Sequence, residues 1–269
     1  MDLCTVISER YIPQAINLIQ SYKVYSYNEN IFVYYFNTSI DKLEIFKKIF
    51  GDQVKLVEVE NKVEHAHNPR VFFYKVYAIN DCLTNHSGAM IYSDSANCFI
   101  KEAKNIEKDL IDDSLFLAYP YEKLTNQYWT TEKCLELAGS IGAEIMPQYW
   151  AGFQAYKRTP KNIALTTEMY DYMLNPEMAL PDMSVKYPDG KDSSCIEHRC
   201  DQSILSILIH KHNRHQSFDP IKNSKYGDWQ TFVEFDREYN HDFDNMILSP
   251  RESKFNNFRF LREEGYKNV

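Results

Sequence analysis

Glycine is scarce in this sequence, with 8 residues among 269. The loop after the first predicted strand contains no glycine, which argues against a nucleotidyltransferase. Residues 8–13 (SERYIP), which follow the first predicted strand, hold no glycine. Nucleotidyltransferases usually carry a glycine-rich basic loop at that point, where backbone amides hold phosphates. The six cysteines form no CxxC pair and no zinc-like doublet, so we expect reduced thiols.

Long apolar runs and an excess of positive charge are also missing. No stretch approaches the about 18 apolar residues of a membrane-spanning helix. The first residues (MDLCTVI) form a short apolar run with an acid at its start, unlike a signal peptide. The net charge of −8 argues against binding through nucleic-acid phosphates, so no nucleic-acid partner is expected. We therefore expect a soluble or peripheral cytoplasmic protein without a transmembrane segment.

Apolar periodicity in the first hundred residues alternates between strands and helices. Predicted strands cover residues 3–8, 31–36, 54–59 and 89–92, and predicted helices cover 12–25, about 41–50 and 71–83. Strands that alternate with helices over short loops form a mostly parallel sheet with helices on both faces. The pattern predicts an α/β fold with a Rossmann-like, mostly parallel central sheet flanked by helices.

The second half of the chain is less regular. Predicted strands cover 115–119 and 149–156, and predicted helices cover 131–137, 160–174 and 201–210. The tail after about residue 219 is rich in Asn, Asp, Lys and Arg and could wrap the surface. We see no internal repeat or low-complexity linker. This predicts a single domain over 1–269 with an irregular C-terminal part.

Ligands of such sheets bind at the carboxyl ends of the strands, and two predicted strand ends carry polar side chains there. The first strand runs into Ser8 and Tyr11, and the fourth runs into residues 93–97 (SDSAN). We expect both segments to lie at one edge of the sheet.

Segments in a fixed order along residues 1–210 resemble the GT-A glycosyltransferases, in particular the glycogenin-like and bacterial galactosyltransferase families and their viral and animal relatives. These segments are 5–11 (TVISERY), 69–75 (PRVFFYK), 91–97 (IYSDSAN), 148–154 (QYWAGFQ) and 198–203 (HRCDQS). The resemblance implies a GT-A fold and transfer of a hexosyl or pentosyl group from a UDP- or GDP-sugar to a glycan or glycoprotein acceptor.

The same resemblance divides the chain into a nucleotide-binding half (1–100), a half for donor sugar and acceptor (101–220) and a C-terminal tail (221–269). It places the nucleoside near Thr5, Ile7, Ser8 and Tyr11, where the Tyr11 ring could stack on the base. The alternative for these residues is that any first strand and helix of an α/β sheet looks similar.

The resemblance places the donor diphosphate near Arg70 and Lys75, because a fixed cation stabilises the charge of the leaving group. Its members usually hold a divalent cation with an Asp-x-Asp motif, which here would begin at Asp94. Ala96 stands in place of the second acid. Mn²⁺ or Mg²⁺ bound through Asp94 is one interpretation, and binding of ribose or sugar hydroxyls by Asp94 and Ser95 is the other.

The resemblance places the donor sugar against Ala151 and Gly152, whose small side chains permit close approach. It also implies that Asp201 and Gln202, at the start of a predicted helix, face the donor sugar or acceptor and are catalytic. If the reaction inverts the anomeric centre, Asp201 is the candidate general base. If it retains configuration, the leaving phosphate can take the proton.

Each assignment has a structural alternative. Arg70 and Lys75 could be solvated helix charges, and Asp201 could serve as a helix N-cap. The literal Asp-x-Asp at 242–244 follows no buried strand, so we interpret it as a coincidence of surface charge. Histidines cluster at 65–67 and 210–215 and are not expected to be metal ligands. The competing function is a non-catalytic relative that binds a nucleotide-sugar or glycan and has a degenerate metal site.

Overall fold

Strands and helices alternate through the first half of the computed structural model, which describes residues 1–26, 29–99, 106–107, 110, 112–140, 142–180, 195 and 197–213. The strands are β1 (Asp2–Ile7), β2 (Ile31–Tyr35), β3 (Val54–Glu58), β4 (Ala89–Ser93), β5 (Leu115–Thr125) and β6 (Pro147–Lys157). The helices are α1 (Ile12–Tyr25), α2 (Ile40–Phe50), α3 (Phe73–Asp81), α4 (Asn126–Trp129), α5 (Glu132–Ala138), α6 (Pro160–Leu174), α7 (Pro176–Ala179) and α8 (Asp201–Lys211). Short 3-10 turns cover Glu9–Tyr11, Gly51–Gln53, Glu64–His67, Pro69–Val71 and Ala143–Ile145, and a π-turn covers Cys82–His86.

The strands form one sheet in the order β3-β2-β1-β4-β6-β5. β1 lies parallel to both β2 and β4, and β2 lies parallel to β3. β6 is antiparallel to β4 and to β5, so β5 runs in the same direction as the first four strands. The prediction of a mostly parallel central sheet flanked by helices is confirmed, with β6 as the strand of opposite direction.

The sheet is buried on both faces, which explains its apolar strands. Alternate residues of β1 point to opposite sides. Leu3 and Ile7 pack in one apolar core with α1 and α2, whereas Cys4 and Val6 pack in the other with α3, α6 and α8. Such strands read as continuous apolar runs because both faces are covered.

The start of α3 departs from the predicted helix over 71–83. Phe72 has a left-handed backbone with φ of 61°, so the helix begins at Phe73 and Lys75 lies in its first turn. The helical pattern ends in the π-turn after Asp81. The six cysteines are free thiols, as expected. None of the helices in the described residues is long and apolar enough to cross a membrane. The C-terminal tail and the acids at 242 and 244 lie outside the described residues.

Candidate functional site

The carboxyl end of β4 meets the first turns of α3 and α8 at one edge of the sheet. Asp94 follows β4 directly, Lys75 lies in the first turn of α3, and Asp201 is the first residue of α8. The Lys75 ammonium lies 3.0 Å from Asp94 Oδ1 and 3.1 Å from Asp201 Oδ2. One cation therefore bridges two carboxylates that come from different elements.

Burial decides the electrostatics of this cluster. The side chains of Lys75 and Asp201 are 8% and 4% exposed, whereas that of Asp94 is 30% exposed. Burial alone would lower the pKa of Lys75, but the charges of Asp201 and Asp94 outweigh it and raise this pKa above its ordinary value. Burial raises the pKa of Asp201, although the charge of Lys75 acts in the opposite direction. Lys75 therefore stays charged, and Asp201 holds a proton more readily than an exposed aspartate does.

The two carboxylates have different hydrogen-bond partners. Asp94 Oδ1 accepts a hydrogen bond from the Tyr92 hydroxyl at 2.9 Å. Burial and the charge of Asp94 raise the pKa of Tyr92, so this phenol keeps its proton. Asp201 Oδ2 is buried, and the Lys75 ammonium, 3.1 Å away, is its charged partner. Asp94 therefore has a neutral hydroxyl and the ammonium as partners, whereas Asp201 Oδ2 is paired with the ammonium.

Strained backbone precedes both helices that carry the cluster. Phe72, before α3, has φ of 61°, and Cys200, before α8, has φ of 42° and ψ of −107°. Such conformations cost about 1–3 kcal/mol each in residues with side chains and often occur at functional sites. Cys200 Sγ donates to the Arg70 carbonyl at 3.6 Å, which joins the two turns. This contact holds the start of α8 next to the turn before α3.

Gly152 on β6 packs directly against the cluster. A Cβ atom at this position would lie 2.3 Å from Trp150 Cζ2 and 2.7 Å from Asp94 Oδ2. The Gly152 carbonyl accepts from the Asp94 amide at 2.9 Å and from Asn97 Nδ2 at 3.0 Å. The neighbouring Trp150 ring and Asp94 carboxylate give the glycine a packing reason besides the expected approach of a donor sugar.

A buried amide network lies behind Gln202, beside Asp201. Gln202 Nε2 donates to Gln148 Oε1 at 2.8 Å, and Gln148 Nε2 lies 3.1 Å from both Asn126 Oδ1 and Thr130 Oγ1. These acceptors fix which end of the Gln148 amide faces Gln202. Gln148 belongs to the segment 148–154 that resembles the GT-A transferases. A polar residue in an apolar strand is the one feature of the sequence that indicates its role at the centre of this network.

The remaining predicted donor-binding residues are divided between core and surface. Thr5 is buried, and its hydroxyl donates to the Ser93 carbonyl at 2.8 Å. Tyr11 is 38% exposed, and Arg70 is also exposed. Ile7, Ser95 and Ala151 are buried, and Ser8 is half-buried. Tyr11 and Arg70 are therefore the members of this set whose side chains face solvent to the greatest extent.

His65, His198 and His212 have structural partners. His65 Nε2 lies 2.7 Å from the Met173 carbonyl, and His212 Nε2 lies 2.6 Å from Glu168 Oε2. His198 is buried between α5 and α7: its Nδ1 accepts from the Thr131 amide at 3.2 Å, and its Nε2 donates to the Met178 carbonyl at 2.9 Å. His198 thereby fixes the segment that leads into α8.

The donors at this edge do not fit a divalent cation. Mn²⁺ and Mg²⁺ take about six oxygen ligands, whereas Asp94 and Asp201 are both engaged by the ammonium of Lys75. Ala96 contributes no ligand. Across the described residues, no group of three or more His, Cys, Asp or Glu side chains could hold a metal ion. The use of Mn²⁺ or Mg²⁺ stays a prediction, and this donor set argues against it.

No protein-family model and no curated protein matches the chain. Among solved structures, the chain is similar to the galactosyltransferase LgtC in complex with donor and acceptor sugar analogs, at 15% identity and a TM-score of 0.51 over 77% of this chain and 70% of that one. It is also similar to mouse xyloside xylosyltransferase 1 in its apo form, at 10% identity and a TM-score of 0.46 over 80% of this chain and 83% of that one. The likeness to LgtC shows that the chain has the fold of the GT-A glycosyltransferases, which confirms the expected fold.

Proposed function

We propose that this chain is a glycosyltransferase that moves a sugar from a nucleotide diphosphate sugar to a glycan or protein acceptor. The observation that carries the proposal is the cluster of Lys75, Asp94 and Asp201 at the carboxyl edge of a mostly parallel sheet. Ligands of such sheets bind at this edge. A buried ion-pair cluster with perturbed pKa values at this edge is a candidate functional site.

The nucleotide of a UDP- or GDP-sugar would lie beside the end of β1. Tyr11 offers an exposed ring that can stack on a base, and Arg10 lies 5.9 Å from the centre of that ring. The exposed Arg70 guanidinium could contact the diphosphate. Ser8 and Ser95 supply hydroxyl groups at the ends of β1 and β4.

Asp201 and Gln202 would act at the reacting end of the donor. Asp201 is the first residue of α8, and its raised pKa makes its carboxylate a stronger base than that of an exposed aspartate. In an inverting reaction, Asp201 would take the proton of the acceptor hydroxyl. In a retaining reaction, the leaving phosphate would take it, and Asp201 would hold a sugar hydroxyl. Gln202, oriented by Gln148, would present its carbonyl oxygen to the sugar.

A nucleotide-release assay with a panel of UDP- and GDP-sugars and simple sugar acceptors tests the proposal. We expect release of UDP or GDP with one donor and a decrease of about 100-fold or more in Asp201→Asn. Asp171→Asn, at an exposed position on α6, is the matched control and should leave turnover unchanged. Full turnover in Asp201→Asn would remove Asp201 from the base role. Binding of a nucleotide-sugar without any turnover across the panel would instead support a non-catalytic binding protein.

A further inference from the structure

Ala96, two positions after Asp94, bears on whether this site can hold a divalent cation. Ala96 offers a methyl group where the resemblance places a second acid. The carboxylate of Asp94 is engaged from inside the protein, because Oδ1 receives the Tyr92 hydroxyl at 2.9 Å and the Lys75 ammonium at 3.0 Å. Oδ2 lies 3.4 Å from the same ammonium. Asp94 therefore presents little free coordination capacity to an external cation.

The Lys75 ammonium lies between the two carboxylates of the site. It is shared between Asp94 and Asp201 and lies over the faces of the Phe72 and Tyr92 rings, 5.0 Å and 5.9 Å from their centres. Aromatic faces attract cations, so two carboxylates and two aromatic rings hold the ammonium in position. A divalent cation bound to the Asp94 carboxylate would lie close to this ammonium, and the two like charges would repel each other in a partly buried site.

The Lys75 ammonium also reduces the electrostatic repulsion between the two carboxylates and an anionic ligand such as a diphosphate. It offsets one of the two carboxylate charges of Asp94 and Asp201. A diphosphate approaching Asp94, the more exposed of the two acids, therefore meets less repulsion than two free carboxylates would cause.

We propose that the site binds its nucleotide diphosphate without a divalent cation, with the Lys75 ammonium as the cation of the site and Ala96 as the reason why no metal is recruited. This inference rests on the proposed function for the identity of the ligand. The contacts of Lys75 with Asp94 and Asp201 support it independently of which sugar is transferred.

The first experiment titrates Mn²⁺ alone into the full chain, followed by calorimetry or by the electron paramagnetic resonance of free Mn²⁺. We expect no site with a Kd below about 1 mM. Ala96→Asp restores an Asp-x-Asp pair and should gain a site at least about tenfold tighter, because carboxylate oxygens are hard ligands. The double variant Asp94→Ala with Ala96→Asp should lose the gained site. A wild-type site in the micromolar range that Asp94→Ala abolishes, or an Ala96→Asp variant that folds but gains no site, would overturn the inference.

The second experiment titrates UDP and GDP into the wild-type chain in EDTA and again in Mn²⁺. We expect Kd values that agree within about twofold, and a Lys75→Met variant that binds the same nucleotide at least about tenfold more weakly in EDTA. Tightening by about tenfold or more in Mn²⁺ would overturn the inference while leaving the proposed function in place. Failure of both nucleotides to bind in either buffer would count against the proposed function, and the Mn²⁺ titration would still decide whether the site recruits a metal.

Discussion

Acidification should destabilise this protein through His198, the histidine before α8. Burial lowers the pKa of His198 from its ordinary value of 6.5 to about 4, although the hydrogen bond to the Met178 carbonyl acts in the opposite direction. Between these two values the unfolded chain binds a proton at this histidine and the folded chain does not. The free energy of unfolding therefore decreases as the pH falls through this window. Above pH 6.5 the protein keeps all of the stability that depends on a neutral His198.

The size of the effect follows from the shift. One pKa unit corresponds to about 1.4 kcal/mol, so the full window is worth about 3 kcal/mol, and acidification to about pH 5 should cost about 2 kcal/mol. Urea unfolding followed by circular dichroism at about pH 7.5 and about pH 5 measures this difference. His198→Gln removes the titrating group, so the variant should lose about 2 kcal/mol less than the wild type between the two conditions.

The same variant should be less stable than the wild type at about pH 7.5, by about 1–3 kcal/mol, because the hydrogen bonds to Thr131 and Met178 are disrupted. His67→Gln, at an exposed histidine, is the matched control and should keep the wild-type pH dependence. Parallel pH profiles for the wild type and His198→Gln would refute the assignment of His198 as a buried neutral histidine.

Two substitutions test the packing and charge of the site. Lys75→Met leaves the buried carboxylate of Asp201 and the half-buried carboxylate of Asp94 without their cation and should reduce the free energy of unfolding by about 3–5 kcal/mol. The loss should shrink as the pH falls, because burial raises the pKa of Asp201 and a protonated carboxyl needs no cation, and a loss that does not change with pH would contradict the shared ion pair. Gly152→Ala forces a methyl group against Trp150 and Asp94 and should cost about 1–3 kcal/mol in the same urea assay, whereas an unchanged midpoint would show that the ring has room to move.

The buried amide network makes the placement of Gln202 depend on a residue of another element. Gln148 lies on β6, and its amide nitrogen is surrounded by the acceptors of Asn126 and Thr130. A buried polar residue of this kind is costly unless all its partners are present. The start of α8 is therefore held by the hydrogen bond between Gln202 and Gln148 as well as by the strained turn at Cys200.

Local pattern determined much of the secondary structure. The predicted helices over 12–25 and 160–174 have the observed bounds of α1 and α6, because their apolar spacing and the prolines in their first turns act within the helix itself. The apolar strands with intervening helices also predicted the parallel part of the sheet. The order of the motif segments predicted the GT-A fold.

Tertiary structure alone decided the direction of β6 and the contacts of the site. Period-two patterns are the same for parallel and antiparallel strands, so the sequence carries no signal for the reversal. The left-handed turn at Phe72, which starts α3 two residues later than predicted, is likewise invisible to periodicity. Lys75 and Asp201 were each candidates from the sequence, but their ion pair joins distant parts of the chain. Such a contact exists only once the sheet brings α3 and α8 to one edge, because packing between elements, and not local propensity, sets the distance between them.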